Sequence, residues 1–422
     1  LADYQGITTP PDRVEGVDGL SRCMEQLLCY PADAGTWESE IFPARLHLYD
    51  PSWLDTLMQE GGLFWIGSEG HRVTFCFEPD LDLVQEESGD TEFTSDDEHL
   101  VRPIRWPGAA LPLDLFPDAA GRYDFSTLLR LSKSGSAELA KRLWDEVWKG
   151  RVTNDTFISL RRALMHRFRI PAGVSKGPGK LGRRESRLRR LSLVERKEAP
   201  FSPGNWHSIP SPELPEGLLE REELRKDRAR LLLDRYGILF RELLQREWPA
   251  LRWSNVFRAL RIMELSGEVM AGIFFHGIPG LQFISHRAFR RLLRKLPEDA
   301  IYWINATDPA SLCGIPLESV RGMLPARVPT THLVYRGNRL IAVSKRNAKE
   351  LIIHIAPEDP ILQESLIFLR HLLTRKFQPM KRVSIETING EKASDSPYLP
   401  ALRTLADVAV DYKNVTLYRK IR

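Results

Sequence analysis

The chain reads as an α+β protein: tandem winged-helix domains followed by a small antiparallel β-barrel or sandwich module with C-terminal helices. Three observations predict this. A pattern of helices followed by a two-stranded hairpin occurs clearly once and more weakly a second time. After Tyr302 the apolar residues change from helical spacing to short strand-sized runs. Stretches rich in Gly, Pro and charge divide the 422 residues into domain-sized pieces. With 42% hydrophobic and 27% charged residues, the composition excludes a fibre, a coiled-coil rod and a wholly disordered chain. No run approaches the roughly 20 apolar residues of a membrane span.

Taken in order, residues 1–36 hold an N-terminal helix and linker, and 37–108 a winged helix. In the latter, Trp53 to Glu60 is helical and stops at glycine, and strands around Leu63 to Gly67 and Arg72 to Phe77 follow. Its tail is acidic, with ten Asp or Glu between Glu78 and Glu98, and reads as a solvated loop. Residues 109–172 form a winged-helix or helical domain with helices from Phe125 and Ala137 and a turn at Gly150. Residues 173–212 are a basic flexible loop and linker: nine Lys or Arg face only Glu185 and Glu195 between Gly173 and Lys197, and a Pro-rich run follows.

Residues 213–297 carry the clearest winged helix. A charged helix, Arg221 to Tyr236, is closed by Gly237, which tolerates the left-handed conformation of a helix end. Leu239, Phe240, Leu243, Leu244 and Trp248 predict a second short helix. Trp253, Val256, Phe257 and Leu260 fall at i, i+3, i+4 and i+7 of a third helix ending at Gly267. Two strands flank the turn His276 to Gly280. Residues 298–422 form the β-barrel-like module, with strands near Thr331–Tyr335, Leu340–Val343 and Leu351–Ile355, a helix from Pro360 to Arg375, and a strand–helix–strand tail.

Little chemistry is written in recognisable motifs. Four scattered cysteines form neither a zinc ribbon nor a disulfide framework, which fits a reducing cytoplasm. No histidine pair has metal-ligand spacing, so no metal is expected. Gly177-Pro178-Gly179-Lys180-Leu181-Gly182 approaches a P-loop, but Val174 replaces the first glycine and Leu181 the Mg²⁺-binding hydroxyl. The chain begins at Leu1 with no basic-then-apolar leader.

Net charge is only +4, but its distribution is informative. Arg183, Arg184, Arg187, Arg189 and Arg190 are the electrostatic candidates for phosphate contact, since each neutralised phosphate releases a counterion. A solvated linker, or a contact with the acidic loop at Asp96, Asp97 and Glu98, explains the same residues without DNA. On the third helix of the clearest winged helix, Arg252, Asn255, Arg258 and Arg261 are candidates to face a DNA groove.

Several phrases resemble the C-terminal region of bacterial large helicase-related proteins (Lhr). They are Trp37-Glu38-Ser39-Glu40-Ile41-Phe42-Pro43-Ala44-Arg45-Leu46, then Tyr49 to Asp55, Leu143 to Asp155, and Arg235-Tyr236-Gly237. Gly280-Leu281-Gln282-Phe283, Asn305 to Ala310 and Asp411 to Leu417 complete the series. The acidic insertion near Asp90, and Asn414 where many relatives have glycine, depart from the pattern.

The resemblance implies the oligomerising, DNA-binding C-terminal region of an ATP-dependent superfamily-2 DNA repair helicase. ATP and Mg²⁺ would belong to motor domains outside this chain, and this chain would need no cofactor of its own. It further implies similarity to winged-helix (AlkZ-type) DNA glycosylases, metal-free uracil removal, single-stranded or forked DNA as partner, a homotetramer, and a bacterial, nucleoid-associated cytoplasmic location. A non-catalytic protein–protein scaffold is the alternative. A glycosylase needs a carboxylate beside a base pocket. Asp411, next to Tyr412, is the catalytic candidate and Asp308 the second, although an Asp before a strand or a proline is commonly a turn residue. Asp155 reads as a helix cap.

Overall fold

The computed structural model describes residues 1–8, 15–60, 62–85, 115–132, 134–168, 203–294 and 297–420. The basic segment Arg183 to Arg190 and the acidic residues Asp90, Asp96, Asp97 and Glu98 lie outside these. No helix among the described residues is long and apolar enough to cross a membrane.

The first winged helix packs the helices Gly16–Leu27 and Pro51–Glu60 under a hairpin, Leu63–Ser68 with Arg72–Phe77. Ala32–Asp33 adds a third strand. Trp37, Phe42, Trp65 and Phe75 are fully buried between them, because large rings supply most of the apolar area a small domain can hide.

The middle unit has helices Phe125–Leu131, Ser136–Trp148 and Ile158–Met165 and a three-stranded sheet. Asp124 begins the first helix, its carboxylate accepting from the amides of Ser126 and Thr127. The central strand of the sheet, Asn205–Ser208, comes from the stretch read as linker, and pairs with Val152–Asn154 and Tyr123–Asp124. Gly67 lets this unit close on the hairpin: a Cβ there would stand 2.6 Å from the Val147 carbonyl oxygen.

The second clear winged helix spans Leu218–Tyr236, Trp253–Leu265 and the wing strands Val269–Gly272 and Gln282–Ser285. Gly237 ends the first helix at φ +74°. The expected second helix is replaced by strand Ile238–Leu239 and two 3-10 turns, Leu243–Arg246 and Pro249–Leu251. Its apolar residues are buried as expected, but Pro249 denies a longer helix its hydrogen bond.

No sheet among the described residues of the C-terminal module closes into a barrel. Ile301–Asn305, His332–Arg336, Arg339–Lys345 and Glu350–Ile353 make an antiparallel run, extended by Thr387–Ile388 and Glu391–Lys392. Glu350–Ile353 and Thr387–Ile388 run parallel, and the outer strands Ile301–Asn305 and Glu391–Lys392 do not pair with each other. A separate three-stranded sheet holds Val383–Ile385, Val415–Tyr418 and Asp407–Val410. The single expected helix is two, Leu362–Ser365 and Ile367–Thr374. One continuous core runs through both winged helices and the middle unit, and the C-terminal module has its own.

Candidate nucleic-acid interface

Helix Trp253–Leu265 buries Val256, Ala259, Leu260 and Met263 and turns its other face outward. Arg258 and Arg261 lie on that face, their side chains 75% and 46% exposed. Arg258 stands 3.6 Å from Glu222, and Arg261 pairs with Glu264 on its own helix. Exposed pairs of this kind are worth at most about 1 kcal/mol, so either guanidinium can exchange its carboxylate for a phosphate at small cost. Asn255 is used within the fold instead. Its Nδ2 donates to the Pro249 carbonyl at 2.8 Å and ties the helix start to the preceding turn. Arg252 is half-buried at the first cap position.

Beside this face the wing turn is held by one buried side chain. The Gln282 amide oxygen accepts from the backbone amides of Phe274 and Phe275 at 3.1 and 3.0 Å, and its nitrogen donates to the carbonyls of Phe275 and Ile278. The turn so fixed presents Ile273 and Phe275 to solvent.

The three candidate carboxylates have different surroundings. Asp411 is exposed, and one of its oxygens accepts from the amides of Lys413 and Asn414, both at 2.8 Å. These hydrogen bonds hold its pKa below the ordinary value. Tyr412 beside it is exposed, with the Lys392 ammonium 4.2 Å from its ring centre. Asp308 is fully buried and makes a two-pronged pair with Arg45 at 2.8 and 2.9 Å. Asp155 accepts from the backbone and side-chain nitrogens of Asn205, and so holds the central strand of the middle sheet. Among the described residues no group of three His, Cys, Asp or Glu is arranged to hold a metal ion.

The phrases that carry the family resemblance converge on buried ionic contacts, which sequence reasoning missed. Trp37–Ile41 is a π-helical turn that aims two carboxylates at different units. Glu38 accepts from Arg161 of the middle unit at 2.7 Å and from the Tyr49 hydroxyl. Burial, only partly offset by Arg161, pushes the Glu38 carboxyl up. Glu40 meets His332 at 3.0 Å and Arg375, both in the C-terminal module. Burial alone would raise its pKa, but the contacts with His332 and Arg375 outweigh that and lower it.

Arg235 and Tyr236 both bind the buried Glu247. Arg246 and Arg327 hold the loop at Asp308 through its backbone carbonyls. A signal for these was present: carboxylates embedded among Trp, Ile and Phe cannot stay solvated, and a buried charge requires a partner.

Two family models describing winged-helix domains of large helicase-related proteins match this chain, the third domain over residues 1–78 and the fourth over 219–303. These two stretches of the chain are similar to winged-helix domains of large helicase-related proteins. It is 28% identical over 417 residues to the Escherichia coli Lhr helicase/uracil glycosylase, covering 94% of this chain and 26% of that protein. It is 29% identical over 319 residues to the Mycolicibacterium smegmatis Lhr helicase/probable uracil glycosylase, covering 72% and 20%. The chain thus spans about a quarter or less of the length of these Lhr relatives. Among solved structures, the Streptomyces sahachiroi DNA glycosylase AlkZ is similar, with TM-score 0.42, 12% identity, and coverage of 87% of this chain and 93% of that one.

Proposed function

We propose that this Lhr-family region binds DNA through the outward face of helix Trp253–Leu265, and that it takes part in removing uracil from DNA. The observation that carries the first part is the pair Arg258 and Arg261, exposed on the third helix of a winged helix whose opposite face is packed. Phosphate contacts from such a pair give salt-sensitive affinity that is nearly independent of sequence. The basic segment Arg183 to Arg190 would add to it.

Uracil excision is supported by the names of the two curated relatives and requires a carboxylate that substrate can reach. Asp308 is committed to Arg45 and Asp155 to Asn205, which leaves Asp411 as the carboxylate to test. Self-association, with a homotetramer as the expected form, belongs to the same reading, as does single-stranded or forked DNA as the partner.

Fluorescence anisotropy on single-stranded, forked and duplex oligonucleotides across a salt series tests binding. A steep negative log–log slope is expected, and weak binding that ignores salt would leave only the scaffold reading. Alkaline cleavage of a uracil-containing strand after incubation tests excision, with Asp411→Ala assayed alongside.

A further inference from the structure

Two of the four cysteines meet inside the first winged helix. The Cys29 and Cys76 sulfurs stand 2.8 Å apart, both residues are fully buried, and 47 positions separate them in the chain. All four cysteines are free thiols. Cys29 has φ +59°, the left-handed turn that carries the chain from helix Gly16–Leu27 back across strand Arg72–Phe77. Both backbones are fixed. Cys29 donates its amide to the Phe75 carbonyl at 2.8 Å, and its own carbonyl accepts from Trp248 Nε1 at 2.8 Å. Cys76 pairs with Phe64 in the hairpin.

A disulfide holds its sulfurs about 2.0 Å apart, so less than about 1 Å of movement closes this contact. Burial pushes the Cys76 thiol up, which makes the reactive thiolate scarce in the closed fold. Reaction therefore begins in a brief local opening. Strand Ala32–Asp33, an edge strand held by two residue pairs, lies three positions beyond Cys29 and is where such an opening can start. Once one sulfur is oxidised, its neighbour is already at contact distance and outcompetes a second molecule of oxidant.

We propose that Cys29 and Cys76 form a reversible disulfide in response to hydrogen peroxide, and that this bond staples the first winged helix. Either thiolate attacks one peroxide oxygen, the O–O bond breaks, and the leaving hydroxide takes up the thiol proton as water. The other sulfur then attacks the sulfenic acid: the S–S bond forms, the S–O bond breaks, and the second thiol proton leaves with the oxygen as another water. Two thiols lose two electrons and the peroxide gains them. A small dithiol reverses the bond by exchange. The loop so closed contains helix Pro51–Glu60 and the π turn with Glu38 and Glu40, through which the middle and C-terminal units are anchored. The bond also diverts both sulfurs from the irreversible sulfinic and sulfonic acids.

The test treats the full chain with hydrogen peroxide at neutral pH, then unfolds it in the presence of N-ethylmaleimide. Cleavage after glutamate without reductant separates Cys23 from Cys29 at Glu25. Mass spectrometry is expected to find the Cys29 and Cys76 peptides joined, lighter than their sum by the hydrogens lost. Both peptides carrying the maleimide, both carrying sulfinic acid, or either joined to Cys23 or Cys313 would overturn the proposal. The double variant Cys23→Ala, Cys313→Ala should form the same link to the same extent, and its absence there would show that the link arises by scrambling. Oxidised wild type should melt roughly 5 °C above the reduced chain, a shift that dithiothreitol reverses. An unchanged or lower melting temperature would refute the staple. Cys29→Ala and Cys76→Ala, each compared with its own reduced form, should show no rise with peroxide, and a rise that persists would assign the effect elsewhere.

Discussion

Arg45 and Asp308 stand 263 positions apart in sequence, yet form a two-pronged ion pair with side chains 4% and 0% exposed. The pair joins the first winged helix to the loop that follows strand Ile301–Asn305. It fixes the angle between two units because a bidentate guanidinium–carboxylate contact tolerates little rotation. Gln5 accepts from the same guanidinium and donates to the Arg235 carbonyl, so three units meet at one cation.

Removing one partner leaves the other charge buried and alone. Asp308→Ala is therefore expected to destabilise the chain by about 3–5 kcal/mol in urea denaturation, whereas Arg45→Met with Asp308→Leu should recover most of the loss. A single mutant as stable as wild type would mean that the two units are not held in this way.

The recognition face makes a different demand. Arg258→Ala with Arg261→Ala should reduce the slope of log affinity against log salt by about 2, roughly 0.9 per lost phosphate contact on duplex DNA. The melting temperature should change little, since both exposed pairs contribute little to stability. An unchanged slope would move the interface off this helix.

His207 gives a pH dependence of known sign. Its ordinary pKa is near 6.5, and in the folded chain burial and Arg122 lower it to about 4. Between these values the unfolded chain binds a proton that the folded chain refuses. Stability is thus full above pH 6.5 and is lost as pH falls towards 4. His207→Gln should flatten the urea-unfolding free energy across that window by about 3 kcal/mol. A pH profile identical to wild type would show that the ring is solvated.

Gly67 tests how the middle unit docks. Gly67→Ala would push a methyl group against the Val147 carbonyl and side chain, at 2.6 and 2.8 Å. An overpacked contact of this kind costs about 1–3 kcal/mol, so a lower melting temperature with retained winged-helix circular dichroism is expected. Gly70, where a Cβ would meet nothing but φ is +75°, is the contrasting site, at which Ala pays only for backbone strain.

Much of the local structure was legible without coordinates. Helix Trp253–Leu265 follows from the spacing of Trp253, Val256 and Leu260, and the end of helix Leu218–Tyr236 from Gly237, because periodicity and glycine conformation are local properties. The 3-10 turns at Leu243 and Pro249 carry the apolar spacing expected of a helix, since that spacing cannot separate one short turn type from another.

Which side chains must be hidden, where the chain turns, the winged-helix order and the phrases that resemble large helicase-related proteins could all be read from local sequence. What the residues of those phrases do was settled only by their tertiary contacts. Glu38 and Glu40 sit two positions apart, and one joins the middle unit while the other joins the C-terminal module. The π turn that separates them, the partners at Arg161 and His332, and the parallel pairing within the six-stranded sheet all depend on contacts between residues far apart in the chain. A buried charge announces in sequence that it needs a partner, but only packing determines which one lies within reach.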